Sequence, residues 1–337
     1  MTSEISGRFK RWFWRPPRAH GEVIADRQVS NLELFYDLVY VAVLGQAAHH
    51  LAEHVSIRGL AEFAVVFALI WIAWINGTLY LELHGREDGR TRSIVFLQMG
   101  ILVLLAVFTA DAASGGWGFA VVYATYQVFQ TGLWYSIWRQ DRRDHPEFVP
   151  TTAGYVVGMG VSATVIGASA LLPATPRLLV WAGLGVAWIV GITLAARRSR
   201  AGLGLPRASR VALANWVISH LPIALAITAA GAGMVSLIGH AHDATTPAST
   251  SWLLAGAVAT GLLALVLTEQ ALADAERLSV VFHPLRLALC GGAATALIVG
   301  WLRPAPWLLA LLLVAILSAV WFFAVSRFLR ADAWGEP

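Results

Sequence analysis

Apolar stretches long enough to cross a lipid bilayer recur between Asn31 and Leu329, separated by short polar segments. A hydrocarbon core about 30 Å thick takes roughly 20 apolar residues per helix. Inside it no water can satisfy the backbone, so each stretch reads as a helix that bonds its own amides and carbonyls. Ten spans are predicted, at 32–54, 59–83, 92–112, 117–138, 151–172, 177–196, 211–237, 251–272, 279–301 and 305–328. The expected fold class is all-α, a polytopic transmembrane helix bundle of about ten spans. Hydrophobic residues make up 58% and charged residues 13%, against about one-half and one-quarter in soluble domains. The expected organisation is a basic and aromatic tail over 1–30, a single transmembrane domain over 31–329 and a short terminus over 330–337, with no separate soluble domain.

The charges that remain set an orientation. Arg8, Lys10, Arg11, Arg15, Arg18 and Arg27 lie in the tail, and further Arg clusters fall at 86–92, 139–143 and 197–210, with Arg277 in the loop after the eighth span. The alternate loops hold only Arg58, Arg177 and Arg303. Basic residues accumulate on the cytoplasmic side, so an even number of spans with both termini in the cytoplasm, in the plasma membrane, is expected. The net charge of +4 is therefore read as topology, and nucleic acid is not an expected partner. The tail lacks the apolar run of a signal peptide, and its Trp and Arg residues suit either an anionic lipid surface or a disordered segment. Cys290 is the single cysteine, so no intrachain disulfide can form, and a packing role is expected for it. Gly154, Gly158 and Ser162, at four-residue spacing, predict close helix approach and a central fifth span.

Ionisable residues inside a membrane are costly and are the first places to look for function. The first span opens Ser30-Asn-Leu-Glu33-Leu-Phe-Tyr36-Asp37-Leu-Val-Tyr40. Ser30 and Glu33 have capping-box spacing, which gives Glu33 a structural job. Asp37 lies a turn deeper, beyond any cap. It must face the interior, be protonated or meet a cation, with Arg92 and Arg286 as candidate partners. A static ion pair, a proton- or ion-handling role and a lipid headgroup contact are all open for it.

This opening resembles that of the bacterial low temperature requirement protein A family, whose members begin with a segment of the form Leu-Glu-Leu-Phe-Phe-Asp-Leu-Val-Phe-Val. The likeness continues through Trp71-Ile-Ala-Trp74, Asp88, Arg92, Gln98-Met99 and Asp111-Ala112. Later spans match in hydropathy and in a His-x-Pro pattern at His220 and Pro222. The family's second motif, an Arg at a helix start with a Gly-Glu pair after an apolar run, has no counterpart here. The resemblance implies an inner-membrane protein linked to growth in the cold, and it supplies no catalytic residues.

Three further groups stand out. His220, Glu269, His283 and Arg286 fall on the same half of the later spans, beside Pro222 and Pro284. Proline frees a helix carbonyl, and broken helices beside ionisable groups are where transporters build sites. The alternative is that the histidines bond backbone carbonyls and the prolines shape packing. His49, His50, Glu53 and His54 pair at four-residue spacing, a weak divalent-metal pattern that solvated histidines at a helix end explain equally. Tyr123, Tyr126, Gln127, Gln130 and Trp134 form a hydrogen-bonding stripe on the fourth span, read either as packing or as a polar pathway.

No phosphate-binding glycine loop, nucleophile elbow or dinucleotide fingerprint is present, so no cofactor is expected. The expected partners are membrane lipids and a small ion or proton. The leading reading is a proton- or ion-coupled transporter or channel centred on Asp37. The alternatives are a non-transporting membrane protein that senses or organises lipid or partners in the cold, and an intramembrane enzyme acting on a lipid-type substrate.

Overall fold

The computed structural model describes residues 17–19, 31–86, 88–110, 112, 116–198, 207–269 and 279–332. Ten long helices occupy them: α1 (Asn31–Glu53), α2 (Ile57–His84), α3 (Gly89–Thr109), α4 (Trp117–Asp144), α5 (Val149–Ser169), α6 (Ala174–Arg198), α7 (Arg207–Gly239), α8 (Ala248–Glu269), α9 (Ser279–Leu302) and α10 (Pro306–Asp332). Each coincides with one of the ten predicted segments, and the described residues contain no strand. Eight of the helices are long and apolar enough to cross a membrane. The remaining two, α1 and α4, reach 23 and 28 residues but are more polar, and the structure shows why they can be.

The chain divides into two compact units, Met1–Ala47 with Val65–Arg210, and Ala48–Ala64 with Val211–Pro337. In the first unit the inner face of α4 is almost wholly polar-aromatic, with Tyr123, Tyr126, Gln127, Gln130 and Trp134 all buried. Trp134 stacks on Tyr155 of α5 at 4.2 Å between ring centroids and meets Tyr80 and His84 of α2 edge-on. Helix α5 buries Thr152, Met159, Ala163 and Ile166. The small-residue interface expected at Gly154 and Gly158 is not used: both are exposed, and a Cβ on either would meet nothing within 4 Å. Nearer approach falls on the Gly160 and Gly167 face, where a Cβ would touch Thr131 and Ala124 of α4.

The turn before α3 is fixed locally, with the Asp88 carboxylate accepting the Thr91 amide at 2.8 Å as an N-cap. At the end of α2 the tail takes part. Residues 17–19 lie against it, and Arg18, 6% exposed, donates through Nε to the Leu83 carbonyl and through Nη2 to that of Glu82. Its carbonyl meets His84 Nδ1 at 2.8 Å. A helix end leaves four carbonyls without partners, and a guanidinium supplies the donors and favourable charge there. The tail is therefore docked at these three residues, while the basic and aromatic segment before Pro17 lies outside the described residues. Arg18→Ala is expected to lower the thermal midpoint in detergent by more than Arg58→Ala, whose exposed side chain meets only Glu62.

In the second unit α8 and α9 pack closely through small residues. A Cβ on Gly300 would fall 2.4 Å from the Ala255 Cβ, and Ser251 donates to the Gly300 carbonyl at 2.8 Å. Leu237, Leu254, Ala296, Val299, Leu309 and Leu313 form one core cluster, and Ala259, Leu262, Leu289 and Ala293 another. Lipid tails are as apolar as leucine, so this association rests on close packing and interhelical hydrogen bonds rather than water exclusion. Helices α7 and α9 run through Pro222 and Pro284 as continuous helices. Cys290 is exposed on α9 and takes no part in the core.

Candidate functional site

In the first unit, α1 turns Tyr36 and Tyr40, one helical turn apart, toward Tyr126 of α4. Both hydroxyls reach the Tyr126 oxygen at 2.9 Å, and all three rings are buried. Tyr126 also donates to the Ala73 carbonyl of α2 at 3.2 Å and accepts Gln130 Nε2 at 2.9 Å. Gln98 of α3 continues the chain to Gln130 Oε1 at 3.3 Å, while Tyr123 donates to the Leu69 carbonyl at 2.8 Å and accepts Gln127. A hydroxyl has one proton and two lone pairs, yet four groups converge on the Tyr126 oxygen. One contact is in excess, so the four cannot all be full hydrogen bonds at once. Among the described residues, Gln98 Oε1, Gln127 Oε1 and the indole nitrogens of Trp71 and Trp134 are buried without a partner.

Gly77 makes the convergence geometrically feasible. A Cβ there would fall 2.1 Å from the Tyr36 hydroxyl and 2.7 Å from that of Tyr126. Both oxygens sit at the tips of rigid rings with no slack to move away. Helices α1 and α4 can thus sit among apolar ones because much of their polar surface is hydrogen-bonded inside the unit.

Asp37 lies at the edge of this core, half-buried and about 9 Å along α1 from Asn31 at 1.5 Å per residue. Its Oδ1 accepts the indole N–H of Trp74 at 2.8 Å, and Trp74 leans on Trp71. Neither candidate cation meets it. Arg92 is exposed at the start of α3, and Arg286 in the second unit is taken by Glu269. Among the described residues the Asp37 carboxylate has a neutral donor and no ion pair.

In the second unit Arg286 grips Glu269, through Nε at 3.0 and 3.1 Å and through Nη2 at 2.7 Å. The paired edges of guanidinium and carboxylate make this a specific structural clamp between α8 and α9. Glu269 is buried and Arg286 half-exposed. Arg286→Gln, which strands the buried carboxylate, is therefore expected to lower the thermal midpoint more than Glu269→Gln, which leaves a cation with access to its surroundings. Equal losses from the two would refute the asymmetry. His283 is exposed and His220 half-buried, and neither joins this pair. The predicted four-residue cluster therefore reduces to an ion pair.

The metal pattern dissolves similarly. His49 meets Glu53 at 3.4 Å and His50 tilts against His54, all exposed or partly so. No group of three or more metal-ligating side chains forms among the described residues. The Ser30 half of the predicted capping box lies outside them, with Glu33 in the first turn of α1.

Sequence reading selected Tyr126 and Gln130 but passed over their partners. Tyr36 and Tyr40 carried a usable signal, two phenols at i and i+4 on the face opposite the exposed Leu34, Phe35 and Leu38. Nothing local marked Gly77.

The fold and its polar interior define a polytopic α-helical membrane protein, with a neutral tyrosine and glutamine core in one unit and, beside it, a carboxylate without an ion pair among the described residues. Residues 28–204 match the family model for bacterial low temperature requirement A protein (LtrA), over half of the chain, and the protein belongs to that family. The match covers α1 to α6 and so contains the whole polar core. An uncharacterised protein of Rhizobium meliloti (strain 1021) is 36% identical over 98 residues, 28% of this chain and 24% of that relative. The chain thus spans about a quarter of the relative's length. No solved structure matches.

Proposed function

We propose that this protein is a membrane transporter or channel for protons or a small cation, with Asp37 as its ionisable centre. The observation that carries the reading is the lone carboxylate of Asp37, whose described partner is the indole of Trp74. A carboxylate among apolar helices must gain a proton or a cation to be stable. No cation among the described residues fills that need, so a mobile one is the natural occupant. Glu269 and Arg286, by contrast, neutralise each other and serve the architecture.

The basic residues collected at alternate helix ends support a cytoplasmic-membrane location with both termini inside. The family's name supports a link to growth at low temperature. The test is proton and monovalent-cation flux in liposomes containing the purified protein, across several cations and pH gradients. Flux above that of protein-free vesicles supports the proposal. Silence under every gradient refutes it and favours the non-transporting reading, in which the closed tyrosine and glutamine core serves only to fix the helices.

A further inference from the structure

The end of α4 opposite Arg139, Arg142 and Arg143 holds a cation that the activity proposed above does not use. Arg177, in the first turn of α6, is only 5% exposed. Its Nη2 donates to the Leu172 carbonyl at 2.8 Å, but Nε and Nη1 are buried with no partner among the described residues. Of these, Nη1 faces the start of α4, beside the Ala112 carbonyl. A Cβ on Gly116, the N-cap of α4, would fall 2.1 Å from Nη1 and 3.2 Å from Cζ.

Gly116 has φ +22° and offers no side chain to cap the helix, so the amides of Trp117, Gly118 and Phe119 also lack a capping group among the described residues. Two independent sets of donors, both favouring negative charge, therefore meet at the start of α4: a helix N-terminus and the Nη1 of a buried guanidinium. The surrounding wall is apolar and rigid. Phe119 packs on Trp181 at 5.1 Å, and the Trp181 indole is tied to Ser169 Oγ at 2.9 Å.

We infer that Arg177 and the uncapped start of α4 form a binding site for a phosphate oxyanion, carried by a phospholipid headgroup or free in solution. The free Nη1 can donate to one phosphate oxygen, and the uncapped helix amides can reach another. A buried arginine left without an anion would be strongly unfavourable, and no described carboxylate pairs with it. The place also suits a headgroup, because Trp117 beside the site is 62% exposed, and tryptophan at a span end favours the lipid interface.

The experiment uses the full-length protein, purified in detergent and stripped of lipid. Retention of phosphatidylglycerol is followed by native mass spectrometry against diacylglycerol, which has the same tails and no phosphate. Inorganic phosphate is titrated separately, with the thermal midpoint as readout. The wild type is expected to retain the phospholipid over diacylglycerol, or to be stabilised by phosphate, and whichever arm responds identifies the source. Arg177→Gln is expected to weaken that response at least about tenfold, the effect of losing hydrogen bonds to a charged group. Arg177→Lys keeps the charge without the planar guanidinium and should fall between the two.

Asp111→Asn is the internal control, since its carboxylate is the only acidic side chain in sequence between Asp88 and Asp141. It should bind as the wild type does. The inference is overturned if the wild type responds in neither arm, a result that needs no variant to fold. It is equally overturned if Arg177→Gln binds unchanged, or if Asp111→Asn and Arg177→Gln lower stability non-additively, which would assign the guanidinium to the chain's own carboxylate.

Discussion

Liposomes carrying Asp37→Asn protein are expected to show flux no greater than empty vesicles, while the variant still purifies as a monodisperse species. Asparagine has nearly the same shape, and its amide oxygen can still accept the Trp74 N–H, so the local hydrogen bond survives. What disappears is the negative charge and the site for a proton. Packing and hydrogen bonding are thereby held nearly constant while the ionisable function is removed.

Trp74→Phe is the complementary variant. It keeps the carboxylate but withdraws its described donor, a hydrogen bond to a charged group that contributes about 1.5–3 kcal/mol. Flux should persist with a changed concentration dependence of about tenfold or more. If Asp37→Asn transports as the wild type does, the carboxylate is not the ionisable centre. If both variants lose flux equally, the carboxylate works only together with its indole donor.

Gly77→Ala is expected to be strongly damaging to the first unit. The added carbon would fall 2.1 Å from the Tyr36 hydroxyl, far inside van der Waals contact. Overpacking of this kind costs about 1–3 kcal/mol, occasionally more. Here the strain would also break hydrogen bonds at Tyr126, and buried groups left unpaired add their own penalty. The measurement is unfolding of the purified protein in mixed micelles, with Gly100→Ala, where a Cβ meets nothing within 4 Å, as the control.

Combining Gly77→Ala with Tyr36→Phe removes the oxygen nearest the new methyl. The double variant is expected to lose less stability than the sum of the single losses, because the two positions share one contact. Additive losses would mean that Gly77 matters for backbone reasons instead of for space beside the tyrosines.

Much of this architecture follows from one-dimensional properties. The length and spacing of the apolar stretches located all ten helices, because a bilayer imposes a length on any chain that crosses it and a helix is the local solution. The hydrogen-bonding stripe on α4 was equally legible, since Tyr123, Tyr126, Gln127 and Gln130 repeat at the helical period. The opening segment around Asp37 pointed to the family.

Partnership was a different matter. From sequence, Asp37 had two plausible cations and the later spans a four-residue cluster. The structure gave Asp37 an indole, and it paired one member of that cluster, Glu269, with another, Arg286. It also moved the close approach on α5 from Gly154 and Gly158 to another face. Periodicity states which side chains share a helix face, but not what the neighbouring helix presents at the same depth. Rotation and depth are settled together by many contacts between residues far apart in sequence. That is why Tyr36, Gly77 and Tyr126, drawn from three helices, became one site only in three dimensions, and why Arg177, unremarkable in a sequence read for loop charges, emerged as a buried cation facing an uncapped helix.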